Sequence, residues 1–354
     1  MDIGYACLSV MVRDASCART VTVRRALSLP DDETRRELCR RVARSNLANT
    51  RRLVFHNAAH GLRLYRITPQ LVPLATHPMM AGWDWQEELR EDFRAVGEAM
   101  RTYGLRISSH PGQYAVLSSP RPQVVEAAIR DLTFHADLLD LLGYGETGRI
   151  VLHVGGGQGG KAAAIDRFLR VLDRLPERVR RRLAVENDDT LFHVDDLLTL
   201  CQQGEVPLVL DLHHDLVNPG HRPLDPDRVG AIFRTWPAGE RPKIHVSSPR
   251  DPRDPKAHAD YVDPGPVRAF LRLAEGYDFD IMVEAKQKDA AALRLARDLG
   301  LELRPLRPLA GVTPRDTAGC GARDWHPQDD GTETPVPARA PDRTGLPVTR
   351  GGAG

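Results

Sequence analysis

Six apolar runs of this chain lead directly into residues that can bind a divalent cation. One ends Ser108-Ser109-His110-Pro111-Gly112-Gln113-Tyr114, and the next reads Val151-Leu152-His153-Val154 before a series of glycines. A third ends Val185-Glu186-Asn187-Asp188-Asp189 and a fourth Leu210-Asp211-Leu212-His213-His214. The last two read Lys243-Ile244-His245-Val246-Ser247 and Met282-Val283-Glu284-Ala285-Lys286, with His258 between them in a Pro- and Asp-rich loop. Imidazole combined with carboxylate suits Zn2+ or Mn2+. The donors are too many for one ion, and phosphodiester cleavage commonly uses two ions, about 3.5–4 Å apart, that share a carboxylate. A lone histidine after a strand is more often a hydrogen-bonded structural residue than a ligand. Six successive strand ends are another matter, because buried acids and imidazoles gathered together are costly without a cation.

The elements that must position these residues follow from hydrophobic patterning. Strand-like runs are predicted at Ile3–Cys7, Leu62–Ile67, Leu105–Ser108, Ile150–Val154, Leu183–Glu186, Leu208–Leu212, Lys243–Val246 and Ile281–Glu284. Amphipathic helical patterns lie between them, including Thr34–His56, Gln86–Tyr103, Gln123–Leu142, Ala162–Leu175 and Asp289–Leu299. Alternating β and α elements imply a parallel sheet with helical crossovers. About eight such units is the number that closes a (β/α)8 TIM barrel, whose C-terminal strand ends meet at one mouth. An open doubly wound sheet is the alternative. Residues 1–302 are expected to form this α/β barrel domain. Residues 303–354, rich in Pro, Gly, Thr, Asp and Arg without apolar periodicity, read as a disordered tail.

Composition narrows the class. The chain has 354 residues, 41% hydrophobic and 27% charged, with formal net charge +1. That is ordinary for a soluble globular protein and gives no global basic field. Five cysteines without a CxxC pair suit reduced thiols. There is no secretory leader pattern and no apolar stretch long enough for a membrane span, so a cytoplasmic protein without a membrane partner is expected. Gly155 to Ala162 nearly matches a phosphate loop, but Ala162 stands where the Mg2+-binding hydroxyl would be. No nucleotide cofactor is therefore expected, although these glycines could hold a DNA phosphate. Arginine-rich stretches such as Arg35, Arg36, Arg40, Arg41 and Arg44 read as solvated helix faces. The polar-aromatic pair Gln113-Tyr114, directly after a candidate ligand, could wedge into a base stack. Tyr5, ending the first strand, is expected at the same mouth.

With these motifs assembled, the segment from about Gly4 to Lys288 resembles the UV-damage endonuclease family. The carrying motifs are Gly4-Tyr5-Ala6-Cys7, Ser109-His110-Pro111-Gly112-Gln113-Tyr114, His153-Val154-Gly155-Gly156, Glu186-Asn187-Asp188-Asp189, Asp211-Leu212-His213-His214, Lys243-Ile244-His245, His258-Ala259-Asp260-Tyr261 and Glu284-Ala285-Lys286. The resemblance implies a TIM barrel related to endonuclease IV that nicks damaged double-stranded DNA. The nick would fall on the 5′ side of pyrimidine photoproducts or abasic sites. It implies up to three divalent metals, Mn2+ favoured, with Zn2+, Mg2+ or Co2+ as alternatives. By that likeness His110, His153 and Glu186 hold one ion, and Glu186 bridges to a second held by Asp211, His245 and Glu284. His214 and His258 hold a third. Lys243 matches a lysine that can be carboxylated, and His77 a further site histidine, so Glu186, Lys243 and His77 are the catalytic candidates. Tyr5, Ser9, Gln113 and Tyr114 match residues that probe the lesion; the family usually has asparagine at position 9. A monomer is expected. The rival functions are a plain abasic-site endonuclease, a metal-dependent sugar isomerase or epimerase, and a metal-stabilised binding protein without chemistry.

Overall fold

The computed structural model describes residues 1–220 and 222–309. Eight short strands run parallel: β1 (Ile3–Ala6), β2 (Leu64–Ile67), β3 (Arg106–Ser109), β4 (Arg149–His153), β5 (Leu183–Glu186), β6 (Leu208–Asp211), β7 (Lys243–Val246) and, after a two-stranded insertion, β10 (Asp280–Val283). They close in the order β1-β10-β7-β6-β5-β4-β3-β2, a TIM barrel. Register places His153 beside Glu186 and Asp211 beside His245, so donors from neighbouring strands stand at one level.

Burial on both faces explains why the strands read as continuous apolar runs. In β4, β5 and β6, Ile150, Leu152, Leu183, Val185, Leu208 and Leu210 join the large core between sheet and helices, whereas Val151, Ala184 and Val209 form a separate cluster with Trp236. The second set faces the barrel interior. One step further along each strand, the inward positions are His153, Glu186 and Asp211. Gly4 is required at its place, because a Cβ there would lie 1.8 Å from the Leu64 carbonyl oxygen.

The long helix Asp32–His60 is capped by the Asp31 carboxylate, which accepts from Thr34 N, and ends at Gly61 with φ 74°. No helix among the described residues is long and apolar enough to cross a membrane.

Three local features differ from expectation. A short helix, Val23–Leu27, precedes the long one. His258 does not lie in a loop but ends β9 (Asp254–His258), which pairs antiparallel with β8 (Pro249–Asp251). The ordered chain also continues past 302. Leu303 and Leu306 pack on the core, Leu306 N donates to Ala58 O at 2.7 Å, and Leu309 N donates to Thr102 O at 2.8 Å. Those two carbonyls belong to helix ends that precede β2 and β3, so residues 303–309 strap the face opposite the mouth. The remainder of the expected tail lies outside the described residues.

Candidate metal centre

Glu186 stands at the middle of the barrel mouth, 1% exposed. One carboxylate oxygen lies 3.1 Å from His110 Nε2 and 3.9 Å from His153 Nε2. The other lies 3.2 Å from His245 Nδ1 and 3.4 Å from His214 Nδ1. His245 Nδ1 is also 3.1 Å from Glu284. Two donor sets result, each able to hold a cation: His110, His153 and Glu186, and Glu186, Asp211, His245 and Glu284. Glu186 is common to both, as a bridging carboxylate must be.

Neighbouring groups fix these donors. His110 Nδ1 sits 2.9 Å from its neighbour's carbonyl, Pro111 O, which directs Nε2 towards Glu186. Asn187 clamps β5 to β6 twice: its Nδ2 donates to Asp211 O at 2.9 Å, and Asp211 N donates to its Oδ1 at 2.8 Å. Asp211 also caps the short helix Leu212–Val217 by accepting from His214 N at 2.8 Å.

The donor atoms fit a divalent cation better than they fit one another. Asp211 Oδ2, His153 Nδ1 and His245 Nε2 are buried without a hydrogen-bond partner among the described residues. Such orphans cost free energy unless something else satisfies them. Burial would raise the Glu186 carboxyl, but the surrounding imidazoles hold it well below the usual range. Burial together with the charges of Glu186 and Glu284 pushes Asp211 well above the usual carboxylate range. Three acids this close keep a proton in the absence of a cation, and a cation would take that proton's place.

The expected third pair, His214 and His258, is close but forms no three-donor group among the described residues. Their ring centroids are 6.2 Å apart. His213, to which the sequence reading gave no role, lies edge-on to His258 at 5.4 Å and is 1% exposed. Arg66 was also missed. It projects from β2 into the mouth and pairs with Glu284. Only the alternation of β2 around the outward Tyr65 could have signalled it. Lys243 lies one inward step below His245. Burial, with Arg106 and Arg66 nearby, pushes its amine down to about 7.

Gln113 and Tyr114 are exposed, Tyr114 by 68%. The Tyr114 ring lies over Gly112, where a Cβ would come within 2.3 Å of it, so this pose needs glycine. Tyr5 is a correction. It is fully buried in the helix layer, its hydroxyl donates to Asn57 Oδ1 at 2.9 Å, and its ring meets Tyr65 edge-on, so it does not face the mouth. Ser9 is a second correction. Its hydroxyl is spent on Asp289 and on the backbone of Met11 and Val12, which makes it a loop brace. His77 belongs to neither donor set; its Nδ1 accepts from Met79 N at 3.2 Å.

A closed parallel barrel whose C-terminal mouth carries two donor sets sharing one carboxylate defines a TIM-barrel protein with a site able to hold divalent metal. Within that class the chain belongs to the UV-endonuclease UvdE family, whose model matches residues 1–311. It is 36% identical to a UV DNA damage endonuclease of Bacillus cereus over 88% of this chain and 98% of that one. It is 37% identical to one of Bacillus velezensis, over 87% and 96%. The crystal structure of SacUVDE superposes with a TM-score of 0.75 at 31% identity, covering 85% of this chain and all of that one. Endonuclease IV from Thermus thermophilus shares the fold, with a TM-score of 0.51 at 20% identity.

Proposed function

We propose that this protein is a nuclease that cuts damaged double-stranded DNA on the 5′ side of pyrimidine photoproducts and abasic sites. The observation that carries the reading is the Glu186 carboxylate, buried and shared between two donor sets. His110, His153 and Glu186 would hold one cation, and Glu186, Asp211, His245 and Glu284 a second. His214 and His258 would contribute to a third, with Mn2+ the favoured ion. Bound cations would neutralise the scissile phosphate and make a water acidic enough to supply hydroxide near neutral pH.

The chain's own residues do the rest. Gln113 and Tyr114 enter the duplex where damaged bases are cheapest to unstack. Glu186 orients the donors around it, and Asn187 holds Asp211 in place. Lys243, its amine neutral in part near pH 7, lies beneath Glu186 and is the residue open to carboxylation. His77 is a further site histidine on the β2 loop. The protein acts as a monomer in the cytoplasm.

The test is incubation with Mn2+ and supercoiled plasmid, irradiated, depurinated or untreated. Relaxation of both damaged plasmids but not the untreated one is expected. Cutting of depurinated plasmid alone would replace this reading with an abasic-site endonuclease, and cutting of none would refute it.

A further inference from the structure

The β8–β9 hairpin leaves the barrel after β7, and its base is tied to the exit of β10. Ala259 N donates to Ser248 O at 2.8 Å, Lys286 N to Ala259 O at 3.0 Å and Gln287 N to Asp260 O at 3.1 Å. The turn is internal: Asp251 Oδ1 accepts from Arg253 N at 2.8 Å and Asp254 N at 3.1 Å. β9 packs on the short helix Leu212–Val217 that follows β6. Beyond that helix, Lys256 Nζ donates to Thr190 Oγ1 at 2.9 Å and stands 3.7 Å from Asp189 Oδ2, on the loop after β5. The hairpin thus spans the ends of β10, β7, β6 and β5, which are neighbours in the barrel.

The far anchorage is braced. Asp188 Oδ1 accepts from Thr190 N at 2.9 Å and Phe192 N at 3.1 Å, and Thr190 Oγ1 donates to Asp189 Oδ1 at 2.8 Å. Asn218 Nδ2 donates to Asp188 O at 2.8 Å, which joins this loop to the end of the short helix. The other charged side chains of the hairpin, Arg250, Asp251 and Asp254, bond within it. Among the described residues, Lys256 is the only side chain from 249 to 257 with a hydrogen bond or ion pair outside the hairpin.

Under this arm lies an imidazole that belongs to neither donor set. His213 is 1% exposed, lies against the Lys256 backbone and meets His258 edge-on at 5.4 Å. It fills the gap between helix and hairpin. His258 in turn lies against the Glu284 backbone, its ring 6.2 Å from that of His214. Metal-ligating histidines depend on such neighbours for their orientation. We propose that Lys256 and His213 are positioning residues. Lys256 latches the hairpin to the β5 loop, His213 seats it on the helix after β6, and together they hold His258 beside His214 as a third cation would require. This rests on the third-ion reading above.

The test titrates the chelator-stripped, full-length protein with Mn2+ and counts bound ions by electron paramagnetic resonance. Wild type should take up three. The Lys256 and Asp189 side chains are 42% and 31% exposed. Lys256→Met should therefore weaken only the last ion, by about three- to fivefold, the scale of one exposed ion pair, and leave the first two unchanged. Lys256→Arg should keep wild-type affinity, and Asp189→Asn added to Lys256→Met should weaken binding no further. His213→Ala should weaken the last ion by about 10–100-fold. Amide hydrogen exchange at 249–258 of the metal-free protein should quicken in Lys256→Met and not in Lys256→Arg. Three ions in wild type, with the last bound equally well by Lys256→Met or with exchange at 249–258 unchanged in that variant, would overturn the latch; these surface variants decide it even where His213→Ala does not fold. Two ions in wild type at saturation would overturn the third-ion reading instead, and this inference with it.

Discussion

Arg66 and Glu284 form an ion pair inside the barrel mouth, reaching towards each other from β2 and the end of β10 across the intervening β1. Burial would push the Glu284 carboxyl up, but Arg66 and then His245 hold it well below the usual range. Arg66 therefore keeps a candidate ligand ionised and oriented. Partners of metal ligands typically contribute 10–100-fold to metal affinity or activity, so Arg66→Met should weaken Mn2+ binding and nicking by about that factor. Titration of the chelator-stripped variant with Mn2+ checks this; an unchanged dissociation constant would contradict it.

Glu186→Gln removes the charge that both donor sets share. Nicking should fall at least about a thousandfold, equivalent to roughly 4 kcal/mol of lost transition-state stabilisation. The fold should survive, because a near-isosteric amide fills the same space. Wild type at a hundredfold excess of Mn2+ over its dissociation constant should gain about 2.7 kcal/mol, and the variant should lose most of that gain. Differential scanning calorimetry with and without chelator measures both, and a full metal-dependent Tm rise in the variant would count against the shared-ligand geometry.

Lys243 gives a pH dependence with a definite sign. Its amine is pushed down to about 7, mainly by burial, below its ordinary value of 10.5. A base lowered on folding binds fewer protons in the native state than in the unfolded one. Stability attributable to it is thus present above 10.5 and is lost as pH falls through about 7. Lys243→Met should be more stable than wild type at pH 6 by about 1–4 kcal/mol, with the difference closing near pH 10.5. Urea denaturation of both metal-free proteins across that range is the measurement. Equal stability at pH 6 would mean the amine is not buried as described.

Asp280 predicts a stability effect far from the chemistry. At the opposite end of the barrel this fully buried carboxylate pairs with Arg106 and with Arg241 at 3.0 Å and accepts from Asp2 N at 2.7 Å. Removing one partner of a buried ion cluster costs about 3–5 kcal/mol, so Asp280→Ala should lower stability by that order. Nicking per folded molecule at low temperature should be unchanged. A variant of wild-type stability would show the cluster to be solvated.

The barrel was legible in the sequence because strands buried on both faces leave largely apolar runs, six of which lead into a residue able to bind a cation. Donors on the last inward position, such as His153, Glu186 and Asp211, could be found from that ending alone. The same continuity hid which way a side chain points. β1 is buried throughout, so nothing in Ile3-Gly4-Tyr5-Ala6 shows that Tyr5 faces the helices. Pro249, Pro252 and Pro255 masked the hairpin that carries His258, since proline lacks the ladder donor by which a strand is normally recognised. The strap at 303–309 was missed because Leu303, Leu306 and Leu309, separated by Arg-Pro pairs in a polar stretch, look like a tail until the core surface that receives the first two is known.

The strap has a practical consequence. Leu309 is tied to Thr102 on the face away from the mouth. A surface tether or fluorophore attached at Leu309 would start from the back of the molecule, leaving the metal-binding rim free to meet a rigid duplex head-on.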